Sequence, residues 1–358
     1  MADLGTLGGN YAVGFGINTS GQVTGQSQRT DGSFHAFLIS FPYTNMTDLG
    51  TLGGHTSVGH GINDSGQVTG GAFTTGNTAE HAFLMSPPYT TMTDLGTLGG
   101  SRSVGRGINT AGQVTGDSFT TGNTAEHAFL VSAPYAGMTD LGTLGGISSV
   151  GVGINSSGQV TGRSYTAGSS AIHPFLISSP YTGMTDLGTL GGSLGFSIAI
   201  NAFGQVNAFG QVVGYSPLTG DSDIHAFLYT PSSGMVDLNT LLPNGSGWTL
   251  NVATAINDGG QITGYGSNPS GARHAFLLSP SISSLINLVQ SFSLPYGVTT
   301  SFLAKLSAAQ AATGNASCQQ LGAFVHEVQA QSGKNLMTVQ ANQLIAMANA
   351  VEASEGCP

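Results

Sequence analysis

Six histidines are the residues of this chain whose type and regular spacing first suggest chemistry. Each opens a His-Ala-Phe-Leu string, once His-Pro-Phe-Leu, and they stand at positions 35, 81, 127, 173, 225 and 274. Imidazole is the commonest metal ligand in proteins. These strings recur one to each repeat, however, so the rings are held apart and cannot converge on one ion. We therefore predict no metal site and expect each histidine to form a hydrogen bond within its own repeat, where the Asp of a recurring Asp-Leu-Gly string is a possible acceptor.

A second set of polar residues differs from repeat to repeat, which makes it a better candidate for function. The position before the second Gly of V-G-x-G-I-N holds His60 in one repeat and Arg106 in the next. Side chains alternate along a strand, so this position is expected to share a face with the Val and Ile beside it. The pair can bind an anionic or hydroxylated ligand, with Arg as a fork for a carboxylate, or the two can satisfy each other. The same position reads Phe15, Val152, Ile198 and Thr254 in the other repeats.

The connections between strands supply the candidate ligand-binding residues. They are rich in Asn, Thr, Ser, Gly and Tyr, and loops on a rigid scaffold often carry function. Such side chains suit a hydroxyl-rich ligand, although the same composition is typical of an ordinary loop surface. The carboxylates of Asp221 and Asp223 can bind Ca²⁺ weakly or simply be solvated, and no cofactor is predicted. The candidate residues are Tyr11, His55, Arg102, Arg163, Tyr165, Trp248 and Arg273.

These residues belong to a repeated unit that occurs six times. The string DLGTLGG begins at Asp3, and again at positions 48, 94, 140 and 186, with a degenerate DLNTLLP at 237. The string I-N-x-x-G-Q has its Asn at positions 18, 63, 109, 155, 201 and 257. A tandem NAFGQV at 201–206 and 207–212 lengthens the fifth repeat. The copies of DLGTLGG begin 45 or 46 residues apart. A fixed period of this length is typical of propellers and arrays.

Each repeat reads as four short antiparallel strands. In the fourth repeat we place strand a at 149–155, strand b at 159–164, strand c at 173–178 and strand d at 184–188. The a–b connection carries Asn and Gly, and the c–d connection carries Pro-Tyr and small residues, as expected of hairpins. Gly residues in strand a indicate close backbone approach. Four strands in each repeat predict a propeller blade.

The ends of the repeat region fit a closed ring. Residues 2–5 read as a strand d without a preceding strand c, and 274–279 read as a strand c without a following strand d. Pairing the two would complete a sixth blade and remove two exposed edges. We therefore predict an all-β six-bladed β-propeller over residues 1–280, closed by the N-terminal strand, in preference to a solenoid or an open array.

The pattern changes after residue 280 to helical spacing. Four apolar stripes predict four helices in a small all-α domain over 281–358, of which Leu285, Phe302, Leu321 and Leu344 are members. A core of this size gains from a covalent link, and the two cysteines of the chain both lie here. We predict the disulfide Cys318–Cys357, which suits an oxidising compartment.

Composition excludes several classes of function. The 358 residues carry a net charge of −10 with 7% charged residues, which argues against a nucleic-acid binder. No apolar run approaches the ~20 residues of a membrane helix. The G-x-S-x-G match at 191–195 is expected by chance in so Gly-rich a chain and lacks the strand-to-helix elbow of hydrolases.

The three strings DLGTLGG, I-N-x-x-G-Q-V and HAFL resemble the HAF-type extracellular repeat of bacterial secreted proteins over about residues 2–280. The segment AFVHEVQAQSGK at 323–334 resembles the small helical FIMAH-type module of such proteins. The resemblance implies secretion and a propeller-like fold, and it implies no established activity. No signal peptide is visible before the first repeat, so we expect an extracellular protein whose leader is missing from this sequence.

These observations favour a secreted, non-catalytic propeller that binds extracellular polysaccharide or a cell-surface glycan or other partner through its variable loops. One alternative is a uronate lyase or glycoside hydrolase with His60 and Arg106 as catalytic candidates in the central funnel, assisted by Tyr11 or Tyr165. Another is a structural surface or filament subunit that associates with itself.

Overall fold

The computed structural model describes residues 2–200, 211–231, 234–242, 245–257, 260–292, 294–355 and 357. Most of the tandem NAFGQV segment, 201–210, lies outside the described residues. The chain forms two compact units, Met1–Asp186 and Leu187–Pro358. The change of composition at residue 280 therefore falls inside the second compact unit, where strands give way to helices.

The first unit consists of four successive antiparallel meanders of four strands each, in the order a-b-c-d. A single 3-10 turn separates strands b and c in the second, third and fourth repeats, at Thr75–Asn77, Thr121–Asn123 and Ala167–Ser169. The strands are β1 (Gly8–Ile17), β2 (Val23–Arg29), β3 (Phe34–Ile39), β4 (Thr47–Asp48), β5 (Gly53–Ile62), β6 (Val68–Thr74), β7 (Glu80–Met85), β8 (Met92–Asp94), β9 (Gly99–Ile108), β10 (Val114–Thr120), β11 (Glu126–Val131), β12 (Thr139–Asp140), β13 (Gly145–Ile154), β14 (Val160–Thr166), β15 (Ile172–Ile177) and β16 (Thr185–Asp186).

The second unit combines two more meanders with four helices. Its strands are β17 (Phe196–Ile200), β18 (Val212–Pro217), β19 (Ile224–Thr230), β20 (Gly234–Asp237), β21 (Thr249–Ile256), β22 (Ile262–Ser267) and β23 (Arg273–Leu278), with a 3-10 turn at Leu238–Leu241. Its helices are α1 (Ile282–Ser291), α2 (Tyr296–Ala311), α3 (Asn315–Gln331) and α4 (Thr338–Glu355).

The four-stranded reading of the repeat is confirmed in the first five repeats. Pairing within a meander is antiparallel throughout, and strand c of each of the first three repeats touches strand a of the next in parallel, as Glu80 does with Arg102 and Glu126 with Ser148. The chain is thus mostly β with a small helical C-terminal part, as the repeat and the apolar stripes predict. Among the described residues, no helix is both long and apolar enough to cross a membrane.

Glycine is required where backbones approach most closely. A side chain at Gly70 of strand b would collide with the carbonyl of Val58 on strand a. A side chain at Gly59 of strand a would collide with Thr24 of the preceding repeat. The predicted close approach at the strand-a glycines is therefore confirmed, and it occurs between neighbouring repeats.

The core of the first unit lies between successive repeats. Phe83, Phe129 and Phe175 of the His-Ala-Phe-Leu strings are completely buried. One such core joins Leu84 of the second repeat to Phe129 of the third. Because each repeat buries its apolar face against the next, the apolar positions recur at the repeat period.

The helices form a core of their own and also pack on strands of the same unit. Phe302 and Phe324 are fully buried and lie edge to face, with ring centroids 5.3 Å apart. Leu288 of α1 and Met347 of α4 pack against a strand core that contains Ile262. The predicted disulfide joins Cys318 to Cys357.

The two ends of the repeat region differ from the prediction. Residues 2–6 form no strand, and within the described residues β23 pairs with β22 alone. Asp3 nevertheless makes the turn found in complete repeats: its Oδ1 accepts the N–H of Gly5 at 3.0 Å, as that of Asp48 accepts the N–H of Gly50 at 2.8 Å.

Candidate functional site

Five of the six histidines of the His-Ala-Phe-Leu strings contact an Asp of their own repeat. In each of the first five repeats the Nδ1 atom lies within hydrogen-bond distance of the Asp that opens the following Asp-Leu-Gly string, or its degenerate copy. These contacts hold strand d against strand c, and the predicted hydrogen bond of each histidine within its own repeat is confirmed for the first five repeats. No group of three metal-ligating side chains occurs in the described part of the chain. The pairs are His35–Asp48 (2.7 Å), His81–Asp94 (2.9 Å), His127–Asp140 (2.8 Å), His173–Asp186 (2.8 Å) and His225–Asp237 (2.6 Å).

The variable position that holds His60 and Arg106 is a β-bulge. In the third repeat Gly105 faces Gly116 and Gly107 faces Thr115, so Arg106 has no opposite residue on strand b. The same register shift occurs at this position in all six repeats. The simple alternation expected from the sequence does not hold across a bulge, which re-aims the side chain.

Arg106 and His60, the catalytic candidates of the sequence, have different partners in the structure. The Nε of Arg106 is ion-paired with Asp117, which is completely buried. Within the described residues no hydrogen bond joins His60 to Arg106. Burial, assisted by the charge of Arg106, lowers the pKa of His60 to about 4, so its imidazole is neutral near pH 7. The His60 ring lies 5.5 Å from that of Phe15.

Arg102 is the centre of a charged cluster at the boundary of the second and third repeats. Its Nε donates to Glu80 at 2.9 Å, across the boundary. Its Nη1 donates to Asp117 and to Glu126, both at 3.1 Å. We call these residues the Arg102 cluster: Glu80, Arg102, Arg106, Asp117 and Glu126.

The cluster holds three carboxyl groups around two guanidinium groups, and this affects Glu126. Burial raises the pKa of Glu126, and the neighbouring Asp117 raises it further through its charge and a carboxyl–carboxyl hydrogen bond. Glu126 thus takes up a proton more readily than an ordinary glutamate. Its side chain remains 26% exposed, whereas that of Asp117 is inaccessible.

A cavity of about 300 Å³ opens beside this cluster, at the boundary of the third and fourth repeats. The cavity lies where Ser148, Arg163 and Ile172 take the places of Arg102, Asp117 and Glu126 of the preceding repeat. We call it the Ser148 cavity. Its lining includes Glu126, Ser148, Arg163, Tyr165 and Ile172.

The structure brings some of the predicted ligand-binding residues together and leaves others separate. Arg163 and Tyr165 both line the Ser148 cavity, and Arg102 contacts Glu126 at its edge. Tyr11, 49% exposed, lies edge-on to Phe34 at 5.9 Å in the first repeat. Asp117, Glu126 and Ser148 were not among the candidates. The signal for Asp117 was a charged residue on strand b in the repeat that also carries two arginines on strand a.

Two further candidates belong to the second compact unit. The guanidinium of Arg273 lies 3.7 Å from the centre of the Tyr265 ring, a cation–π contact. Trp248 lies edge-on to His274, with ring centroids 6.3 Å apart.

The predicted calcium candidate Asp221 is engaged within the protein. Its carboxylate accepts the backbone N–H of Ser193 at 2.8 Å and the hydroxyl at 2.7 Å. These hydrogen bonds lower the pKa of Asp221.

The bond from Asp221 to Ser193 belongs to a series that fixes the loop end of every one of the first five repeats. In the second to fifth repeats a side chain of the b–c connection accepts the backbone N–H of the residue that follows the Gly-Gly pair, and in the first repeat Gln28 of strand b accepts it. The residue after the Gly-Gly pair is exposed each time and is of four types over the five repeats, and His55 is one of the five. We call these five the rim positions. The donors and acceptors are Asn10 to Gln28 (3.3 Å), His55 to Asn77 (2.8 Å), Ser101 to Asn123 (2.8 Å), Ile147 to Ser169 (3.2 Å) and Ser193 to Asp221 (2.8 Å).

No protein-family model matches the sequence, and no curated protein matches it. Among solved structures, the chain is similar to a putative TolB from Agrobacterium tumefaciens, with 12% identity, a TM-score of 0.43, and coverage of 71% of this chain and 88% of the other. The chain is also similar to TolB from Acinetobacter baumannii, with 10% identity, a TM-score of 0.40, and coverage of 72% of this chain and 63% of the other. A mutant of AofleA from Arthrobotrys oligospora is similar with 11% identity, a TM-score of 0.38, and coverage of 74% of this chain and 81% of the other. Similarities of this size carry no information about ligand or activity.

Proposed function

We propose that the protein is a secreted, non-catalytic propeller of HAF-type repeats that binds extracellular polysaccharide, or a glycan-bearing cell-surface partner, through its rim positions and the loops beside them. One observation carries the proposal. In five repeats the backbone N–H of the rim position is held by a side-chain acceptor, while its own exposed side chain changes from Asn to His, Ser, Ile and Ser. A constant backbone with variable exposed side chains is the arrangement of a recognition surface.

The surroundings of the rim positions support a hydroxyl-rich ligand. Tyr11 and Tyr165 offer aromatic rings, and Glu126 and Arg163 offer polar groups at the same loop ends. Near-equivalent sites on successive repeats would add weak contacts into useful avidity. The disulfide Cys318–Cys357 supports an extracellular location, because such bonds persist in oxidising compartments.

The finer architecture that we propose is a ring of six blades, closed by residues 2–5 on strand β23. The leucine of strand c is 3% exposed in Leu38, where strand d covers it, and 67% exposed in Leu277, where none does. The turn at Asp3 already has the geometry of the complete repeats. The uncovered Leu277 on strand c and the turn at Asp3 both support the pairing of residues 2–5 with β23.

The structure gives less support to the two alternative functions. An enzyme with His60 and Arg106 in a central funnel would need an available guanidinium, and that of Arg106 is ion-paired with Asp117. The structural-subunit hypothesis stays a prediction that size-exclusion chromatography over a range of concentrations can test.

The proposal is tested by affinity electrophoresis through gels that contain xylan, mannan, galactan, β-glucan or polygalacturonate. The wild-type chain is expected to be retarded by at least one polymer. A variant with Asn10→Ala, His55→Ala and Ile147→Ala is expected to bind about tenfold more weakly. The matched control carries Thr47→Ala and Thr139→Ala, two exposed positions on strand d. Absence of retardation by every polymer, at high protein concentration, would overturn the proposal.

A further inference from the structure

The Ser148 cavity lies between strand c of the third repeat and the strands of the fourth repeat. At the preceding boundary Arg102 pairs in parallel with Glu80 and fills the space with its guanidinium. At the cavity the same parallel pair is Glu126 with Ser148. The backbone pairing is therefore equivalent at the two boundaries, and at the cavity a serine stands in place of the arginine. Its volume of about 300 Å³ lies at the lower end of the range for small-molecule sites.

The lining of the cavity has the chemistry to hold one sugar ring. Glu126 and Arg163 place a carboxyl group and a guanidinium group on the same cavity, and together they can accept from and donate to adjacent hydroxyls. Tyr165 adds an aromatic ring and Ile172 an apolar surface for the C–H face of a sugar. Ser148 contributes a short hydroxyl that leaves the space open.

The local charge favours a neutral ligand. Three arginines, Arg163 with the two of the Arg102 cluster, stand beside the three carboxyl groups of that cluster. The groups balance when all are charged, and Glu126 is the carboxyl that faces the cavity. A uronate carboxylate would lie next to this acidic group, and like charges in close contact disfavour binding.

We propose that the Ser148 cavity is a subsite for one neutral pyranose unit with adjacent free hydroxyls, bound between Glu126 and Arg163 and against Tyr165. This proposal rests on the proposed function, because it assigns one sugar-binding subsite among the loops of the rim. It differs from that function in naming the position and the ligand class.

The repeats themselves supply the variants that test it. Ser148→Arg copies the third repeat and should fill the cavity, with Glu126 as a partner in the way that Glu80 serves Arg102. Thr139→Ala, at an exposed position of strand d that does not line the cavity, is the matched control. Arg163→Gln copies Gln26 of the first repeat and removes the guanidinium without filling the space.

Binding is measured by calorimetry with trisaccharides of glucose, mannose, galactose and xylose, and with trigalacturonate. The wild-type chain is expected to bind a neutral trisaccharide more tightly than trigalacturonate. Ser148→Arg and Arg163→Gln are expected to weaken that binding about tenfold or more, and Thr139→Ala to change it little. Thermal unfolding shows whether each variant is folded, and Arg163→Gln decides the matter if Ser148→Arg is not.

The possible failures are distinguishable. Unchanged affinity in folded Ser148→Arg or Arg163→Gln would overturn the subsite and leave rim binding in place. Tighter binding of trigalacturonate than of every neutral trisaccharide would overturn the assigned ligand class. A wild-type chain that binds no trisaccharide overturns the subsite. The proposed function falls with it only if the polymers in the gels also leave the chain unretarded.

Discussion

The side-chain amide of Asn63 donates a hydrogen bond to the backbone carbonyl of Asn109, one repeat further along the chain, at 2.9 Å. Asn18 makes the same bond to Asn63, and Asn109 makes it to Asn155, each at 3.0 Å. The amide also donates to Gln67, whose backbone N–H returns a bond to the Oδ1 of Asn63. The string I-N-x-x-G-Q therefore closes its own turn and joins that turn to the next repeat.

We expect Asn63→Asp to destabilise the first unit by about 2–4 kcal/mol. The aspartate keeps the acceptor for the Gln67 N–H but replaces a buried donor with an oxygen that faces the carbonyl of Asn109. The free energy of unfolding in urea at pH 7 measures the effect. Ser65→Ala is the matched control, because the third repeat has Ala111 at this exposed position. Equal stability of the two variants would show that the bond between repeats contributes little.

The neutral His60 makes stability depend on pH. Its pKa is 6.5 in the unfolded chain and about 4 in the folded one, so between these values the unfolded state binds more protons. Stability from this group is present above pH 6.5 and is lost as the pH falls towards 4, by at most about 3 kcal/mol. In His60→Val, which copies Val152, the unfolding free energy should fall less over this interval. An identical fall in the variant and the wild-type chain would contradict the assignment.

The sequence predicts whatever serves every repeat. The His–Asp contact and the glycines of close approach recur from repeat to repeat, so internal comparison finds them. The helices and the disulfide follow from apolar spacing and from the cysteine count. These features can be recognised from the residue pattern of one repeat, from the spacing along one helix or from the number of cysteines.

Contacts across a boundary between repeats were harder to predict. Strict alternation placed Arg106 on a face with its Val and Ile neighbours, but the bulge ends that alternation and turns the side chain to Asp117. The Ser148 cavity depends on how strand c of one repeat meets strand a of the next. The period reveals that the two are neighbours, and only the register shows that Ser148 takes the place of Arg102.

The disulfide is expected to stabilise the helical part of the chain. Cys318 and Cys357 are 39 residues apart, and closing a loop of that length restricts the unfolded chain. The double variant Cys318→Ser with Cys357→Ser should lose about 2–4 kcal/mol. Loss of the helical circular dichroism signal in urea measures it, and the reduced wild-type chain is the control. A transition unchanged in both samples would show that the bond is not formed in solution.

Ring closure predicts that an engineered disulfide can join residue 2 of the first repeat to strand β23 of the last. By analogy with Leu38 and Thr47, which face each other in the first repeat, Ala2 should face Leu277 when strand d covers β23. The variant Ala2→Cys with Leu277→Cys should therefore oxidise to a monomer that carries this link, detected by peptide mass mapping. Tyr229→Cys with Met235→Cys, a facing pair on β19 and β20, is the positive control. A disulfide-linked dimer would instead assign strand d to a second copy of the chain. If only the control pair oxidises, the proposed ring is wrong and β23 remains an open edge.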